Sequence, residues 1–362
     1  MPPTPPAASF APTLLAWAAT LDRPMPWRGE RDPYRVWLSE VILQQTRVAT
    51  GADYYRRFLA AFPTVADLAA ASEREVLALW QGLGYYRRAR NLHRAARRVV
   101  DELGGAFPAT YDGLLALPGV GPYTAAAVAS LAYGEAVAVV DGNVYRVLAR
   151  VFGLDDPIDR PAGQRRFRAL AEELLPPATP AAYNQAIMDF GATVCTPRSP
   201  SCASCPFRER CVALASGRVG ELPVKAGATR RRSRYLDYVH LVDARGRMLL
   251  RERGAGDIWQ GLYDLPAVES AAGFASRREV EAGLPSLALA SARAGGVSPP
   301  VKHVLSHQDL HARFWRYGLE GAGDATGTGD GGEAWAWVHP EELPGYGLPR
   351  LLSRYLETPQ LF

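Results

Sequence analysis

Four cysteines, Cys195, Cys202, Cys205 and Cys211, fall within 17 residues of a 362-residue chain and are its whole complement. A disulfide scaffold scatters its cysteines, whereas thiols gathered on one loop suit a metal centre. Their spacings of six, two and five lack the paired knuckles of a zinc ribbon, and on spacing alone zinc and an iron–sulfur cluster both stay open. Two acids stand out by context. Glu40 lies in the apolar run Val36–Leu43, where a carboxyl is either paired or kept protonated by desolvation. Asp141 precedes the helical run Val144–Val151, the place of an N-cap. Two carboxyls in unlike environments are also what glycosidic cleavage needs. One protonates the leaving group, and the other stabilises or attacks the oxocarbenium-like sugar. Leu117-Pro-Gly-Val-Gly121 runs into Pro122-Tyr-Thr-Ala. Glycines before a helix start let backbone N–H groups approach an anion, which suits a DNA phosphate held without reading sequence.

These groups need a scaffold. From Ala11 to about Val219, helix-length segments alternate with Pro/Gly breaks and show no strand alternation, which predicts an all-α domain over 1–221. Residues 222–234 (LPVKAGATRRRSR) read as a linker. From Tyr235 the pattern changes. Leu236–Val242 and Met248–Arg253 form a hairpin signature, His311–Leu319 alternates, and Ala334–Val338 reads as a strand before a helix at Glu341. An α+β domain is expected over 235–362, with Gly321–Gly332 as a mobile loop. Within the first domain, Arg87, Arg90, Arg94, Arg97 and Arg98 share one helical face opposite Ala89, Leu92, Ala96 and Val99. Without interleaved acids these arginines repel one another unless an anion is near, and a DNA backbone would relieve that.

Hydrophobic residues at 48% and charged residues at 22% exclude wholesale disorder and collagen-like repeats. The net charge of +4 resides in residues 1–220, which hold 24 arginines, no lysine and 20 acids. The opening MPPTPPAASF has neither a basic n-region nor an apolar core, and Ala125–Val140 is too short and interrupted to span a membrane. A cytoplasmic protein, bacterial and nucleoid-associated, with no membrane partner is expected, with a monomer as the default.

LPGVGPYT (117–124), VVDGNV (139–144) and the cysteine loop resemble the helix-hairpin-helix, the catalytic-aspartate segment and the 4Fe-4S loop of the endonuclease III superfamily of DNA glycosylases. Within it, MPWR (25–28), WLSEVILQQT (37–46) and WQGLGYYRRARNL (80–92) resemble adenine DNA glycosylases of the MutY type. Trp259-Gln-Gly-Leu-Tyr-Asp-Leu-Pro266 resembles their MutT-like, Nudix-fold C-terminal domain. The likeness is dense over 14–220 and thinner beyond.

The resemblance implies a multidomain protein: an all-α helix-hairpin-helix glycosylase domain with a 4Fe-4S cluster on the four cysteines, followed by an α+β MutT-like domain. It implies that Glu40 protonates adenine at N7 and that Asp141 stabilises or traps C1′, with Tyr123 and Asn143 assisting by hydrogen bonds. It places Gln45 and Tyr85 in the duplex near the orphan base, with Thr46 and Leu83 beside them. Gly119, Gly121, Arg28 and Arg87 are the further DNA contacts. It assigns 8-oxoguanine recognition to His303, Leu305, Ser306 and His307, with Leu305 where the family usually has Phe. Lyases of the superfamily attack C1′ through a Lys at the position Tyr123 occupies here. With no Lys before Lys225, a monofunctional hydrolase fits. Arg278-Glu279-Val-Glu281 lacks the R-E-x-x-E-E core of a Nudix box, so no pyrophosphatase activity is expected. The implied substrate is double-stranded DNA with adenine opposite 8-oxoguanine or guanine. Three rivals are an endonuclease III-like pyrimidine glycosylase/lyase, a non-catalytic lesion-binding protein and a Nudix hydrolase.

Overall fold

A computed structural model describes residues 7–227, 231–323, 326–328 and 334–357. Contacts divide the chain into two compact units: Met1–Ala70 with Arg94–Ala228, and Ala71–His93 with Thr229–Phe362. The helices run α1 (Ala7–Ala18), α2 (Pro33–Leu43), α3 (Val48–Ala61), α4 (Val65–Ala70), α5 (Glu73–Leu79), α6 (Arg87–Leu103) and α7 (Tyr111–Leu115). They continue through α8 (Pro122–Tyr133), α9 (Gly142–Phe152), α10 (Pro161–Leu174), α11 (Pro180–Thr193) and α12 (Val212–Ala215).

The first unit is helical, as its breaks predict, and its helix starts are written locally. Asp32 caps α2 by accepting from the N–H groups of Tyr34 and Arg35, with Pro33 at the first helical position. Pro122, Pro161 and Pro180 open α8, α10 and α11 in the same way. Gly134 and Gly153 close α8 and α9 in the left-handed conformation. The α7–α8 turn is the helix-hairpin-helix. Leu117 and Val120 are buried as its anchors, while Gly119 turns at φ +73°. Gly121 caps α8 without a side-chain bond, leaving the first N–H groups of that helix unclaimed by a cap.

The second unit holds a mixed sheet of β1 (Arg232–Val242), β2 (Met248–Glu252), β3 (Tyr263–Asp264), β4 (Ala267–Ser270), β5 (Arg293–Val297), β6 (Val301–Val304), β7 (Gln308–Gly318), β8 (Thr326–Thr328) and β9 (Ala334–Val338). The main path runs β5-β7-β1-β2-β9-β8. The expected β1–β2 hairpin is antiparallel, but β1 also pairs in parallel with β7 over its whole length. β1 starts at Arg232, inside the segment that reads as linker. Helices α13 (Arg277–Gly283) and α14 (Arg350–Glu357) belong to the same unit. Leu351, Leu352 and Tyr355 of α14 pack on Leu236, Tyr238 and Phe314. Where a helix reads from Glu341, a 3-10 segment, Pro340–Gly345, stands instead. Half of the expected loop Gly321–Gly332 falls outside the described residues, and within it Thr326–Thr328 pairs with β9 as a strand.

Segment Ala71–His93 belongs to the unit with the sheet. Tyr86 donates its hydroxyl to Leu348 O at 3.0 Å. Arg90 donates to Gln260 O, so it leaves the basic face predicted for α6. Arg97 and Arg98 approach Asp101 and Glu102 one turn on, and Arg98 also donates to Ala116 O. Acids one turn further along the helix therefore offset part of the expected repulsion. Arg87 and Arg94 are exposed.

Candidate active site

Glu40 projects from α2 into a pocket of the helical unit with about 630 Å³ of empty space, and Tyr123 of α8 and Asp141 of α9 line the same pocket. Glu40 is only 6% exposed, and Tyr123 Oη donates to its Oε2 at 2.5 Å. Tyr123 Oη also approaches Met188 Sδ at 3.3 Å. Burial pushes the Glu40 carboxyl up to about 7, the Tyr123 hydrogen bond opposes that rise, and the like charge of Asp141 adds to it.

Asp141 caps α9 and is held on both oxygens. Oδ1 accepts from Asn143 N at 2.9 Å and Val144 N at 2.8 Å, and Oδ2 accepts from Asn143 Nδ2 at 2.7 Å. Burial raises its carboxyl, while the N–H donors of Val144 and Asn143 favour the charged form. The N-cap and the pocket carboxylate, alternatives in the sequence, are thus one residue in both roles. Asn143 is fixed in turn, because Arg146 Nη2 donates to its Oδ1 at 2.9 Å. Behind it Gly191 of α11 comes so close that an added Cβ would lie 2.6 Å from Asn143 Cβ.

A further part of the pocket wall is made by Arg23, Trp27, Gln185, Met188 and Asp189, of which the sequence reading quotes only Trp27, within MPWR. Asp189 pairs with both Arg23 and Arg28, the latter at 2.8 Å, so Arg28 is ion-paired at this wall. One available signal was an acid inside the buried helix α11, the same signal that singles out Glu40.

Gln45 and Tyr85 are both exposed, and both are non-glycine residues with left-handed backbone, at φ +58° and +49°. Such residues sit where surrounding structure over-determines them. Gln45 stands between α2 and α3; Thr46 beside it lines the pocket. Tyr85 rides on a braced turn. Arg88 lies 5.0 Å from the Trp80 ring and 5.8 Å from the Tyr85 ring, and donates to Leu83 O and Gly84 O. Leu83 itself is buried.

Cys195, Cys202, Cys205 and Cys211 are free thiols that line one cavity. Arg150 Nη1 reaches Cys195 Sγ at 3.5 Å, and Arg146 Nε donates to Cys195 O at 2.6 Å. Burial pushes the Cys205 thiol up to about 11 and raises Cys211 as well.

In the second unit, residues 305–307 form the tip between β6 and β7. Ser306 and His307 are exposed and bond to each other, Oγ to Nδ1 at 3.1 Å. His303 is half-buried against the Trp259 ring, and burial lowers its pKa. Leu305 packs on the core cluster, leaving Val304 as the exposed apolar side chain. Glu279 is taken up in a capping box with Ser276, and Glu281 pairs with Arg277.

A family described as "HhH-GPD superfamily base excision DNA repair protein" matches residues 38–177, and "NUDIX domain" matches 237–358. Fold and pocket thus define the helix-hairpin-helix class of base-excision proteins, joined to a Nudix-fold unit. A solved thermostable thymine-DNA glycosylase is similar at a TM-score of 0.53 and 32% identity, covering 58% of this chain and 97% of that one. A trapped endonuclease III–DNA intermediate, at 23% identity and TM-score 0.51, shares the fold. An adenine DNA glycosylase of Mus musculus is 46% identical over 60% of this chain and 44% of its own length. One of Buchnera aphidicola subsp. Acyrthosiphon pisum is 30% identical over 71% of this chain and 73% of its own. The chain belongs to the adenine DNA glycosylase family. It spans less than half the length of the mammalian relatives it matches.

Proposed function

We propose that this chain is a monofunctional adenine DNA glycosylase that hydrolyses the N-glycosidic bond of adenine paired with 8-oxoguanine or guanine in duplex DNA. The observation that carries the reading is the shared pocket of Glu40 and Asp141, two carboxyls held in opposite ways. Glu40, buried and pushed up to about 7, is the acid that protonates the extruded adenine. Asp141, with both oxygens held by donors, is the carboxylate that stabilises or traps the sugar cation. Tyr123 and Asn143 hold the two acids by hydrogen bonds. Water completes the hydrolysis.

Flipping the base costs a few kcal/mol, and the exposed Gln45 and Tyr85 fill the gap it leaves. Thr46, Leu83, the hairpin backbone at Gly119 and Gly121, and the exposed Arg87 complete the DNA contacts. The helical unit forms the catalytic domain, a short linker follows, and the unit with the sheet, which takes in Ala71–His93 and begins its first strand at Arg232, is the lesion-reading domain. There Ser306 and His307 face the orphan 8-oxoguanine, backed by His303 and Leu305.

The cysteines fit a 4Fe-4S cluster better than zinc. All four line one cavity, and their spacings of six, two and five follow the 4Fe-4S loop that the sequence resembles rather than the paired knuckles of a zinc ribbon. When bound, such a cluster would pin the loop that carries Arg198, Arg208 and Arg210 beside a DNA backbone. A brown protein with visible absorption checks this, and a colourless zinc-loaded protein refutes it. Among the described residues no helix is long and apolar enough to cross a membrane. We place the work of the protein in the cytoplasm, on the nucleoid.

The test is single-turnover cleavage of a duplex with one 8-oxoguanine·adenine pair. Adenine release without strand scission before alkali is expected. Release of thymine glycol or spontaneous nicking would instead support the endonuclease III rival.

A further inference from the structure

Asp257 of the second unit stands where two buried arginines meet. The side chains of Arg234, on β1, and Arg253 are only 6% and 9% exposed. Arg234 grips the Asp257 carboxylate in fork geometry, Nη1 to Oδ1 and Nη2 to Oδ2, each at 2.7 Å. Arg253 donates Nη2 to the same Oδ2. Each arginine then reaches one flank of the β6–β7 tip. Arg234 Nη1 also donates to Gln308 Oε1 at 3.1 Å, and Gln308 is the first residue of β7. The Gln308 carbonyl accepts from Leu305 N at 2.8 Å, which closes the turn. On the other flank, Arg253 lies 5.8 Å from the Trp259 ring and donates Nε to Ile258 O at 2.9 Å. The Trp259 ring in turn meets the ring of His303 on β6 at 6.0 Å. Trp259 has left-handed backbone, at φ +62°, which marks a residue held by its surroundings.

We infer that Asp257 is a positioning residue for lesion reading: it joins the two flanks of the tip into one clamp, so that Ser306 and His307 meet the orphan base from a fixed turn. This rests on the role proposed for those two residues. Their side chains stand in solvent and bond each other, so their placement comes from the turn that carries them. A turn already ordered spends none of the binding energy on ordering itself. The rest of the network lets the clamp open while the unit stays folded. Arg234 keeps Glu269, which accepts from both Nε and Nη2, and Arg253 keeps Asp264 at 2.8 Å. What goes with Asp257 is the negative charge shared by two like guanidiniums, which then repel each other. Asp257 acts on the tip through Gln308 on one side and His303 on the other.

The experiment has two arms on the full chain, each for wild type, Asp257→Asn and Glu269→Gln. The first is amide hydrogen exchange over residues 303–308 without DNA. The second is single-turnover adenine release opposite 8-oxoguanine and opposite guanine, read as a ratio within one variant so that the folded fraction cancels. In Asp257→Asn the new NH2 turns against one arginine. Exchange across the tip should then quicken about fivefold or more. The 8-oxoguanine-to-guanine ratio should fall about threefold or more. Glu269→Gln takes a carboxylate from Arg234 yet leaves its bridge to Arg253 through Asp257, and should keep both wild-type values. Equal changes in the two variants would mean general loosening and overturn the inference. Unchanged exchange in Asp257→Asn would overturn it too, as would quicker exchange with an unaltered ratio. A wild type with no preference between the two orphan bases, or with no adenine release, overturns the lesion-reading role first, and this inference with it.

Discussion

The pocket of the helical unit and the β6–β7 tip of the second unit treat their polar groups in opposite ways. In the pocket, Glu40 is bonded to Tyr123, Asp141 to three donors, and Asn143 to Arg146. At the tip, Ser306 and His307 stand in solvent and their side chains bond each other. Charge that develops during bond cleavage is best met by groups already fixed in a low-dielectric site, since nothing then has to reorganise. A reader of a DNA base must reach out, and its affinity comes from contacts not yet made. The pocket should therefore fail sharply when altered, and the tip should fail softly.

Asp141→Asn should break the pocket most. Asparagine is as good an N-cap as aspartate, so the melting temperature should barely move, while adenine release falls on the order of 10³-fold or more. Full activity in this variant would remove Asp141 from the chemistry.

The next effect is a pH dependence. In the proposed role Glu40 acts as an acid only when protonated, and burial pushes its carboxyl up to about 7, so the release rate should fall about tenfold per pH unit above that value. Stability follows the same group. Its folded pKa lies above the ordinary 4.5, so its stabilising contribution is complete below about 4.5 and is lost as pH rises through about 7. Glu40→Gln should therefore be inactive yet more stable than wild type at pH 8, by on the order of 3 kcal/mol. Denaturant unfolding at pH 5 and pH 8 reads this directly, and a gain of equal size at both would contradict it.

Gly191→Ala should cost about 1–3 kcal/mol and slow release, because its Cβ meets Asn143 at 2.6 Å. An unaltered melt would mean that α11 and α9 can part freely. Ser306→Ala should do least. A fewfold loss of preference for 8-oxoguanine over guanine is expected, with no change in melting, and equal losses on both pairs would sharpen the comparison against the tip.

What the sequence shows follows from how local each signal is. Glu40 announces itself as an acid in an apolar helix, and Asp141 as a cap, because both signals lie within one turn. The cysteine loop is legible for the same reason. Asp189 carries the same mark as Glu40 but sits outside any quoted motif, and its partners Arg23 and Arg28 lie on an aperiodic stretch more than 160 residues away. The parallel pairing of β1 with β7 joins residues as far apart as Arg232 and Gln308, and no alternation within either strand encodes its neighbour. The departure of Arg90 from the basic face is equally remote in cause, since its acceptor is Gln260.

Gln45 and Tyr85 hold backbone angles that L side chains rarely adopt, at a cost of about 1–3 kcal/mol each. That tension is set when the chain folds, not when a duplex arrives, so both side chains already point outward before any encounter. Glycine at either position would ease the backbone and remove the side chain, so under the proposed role as a wedge a hardier chain and a readier probe pull against each other at the same two places.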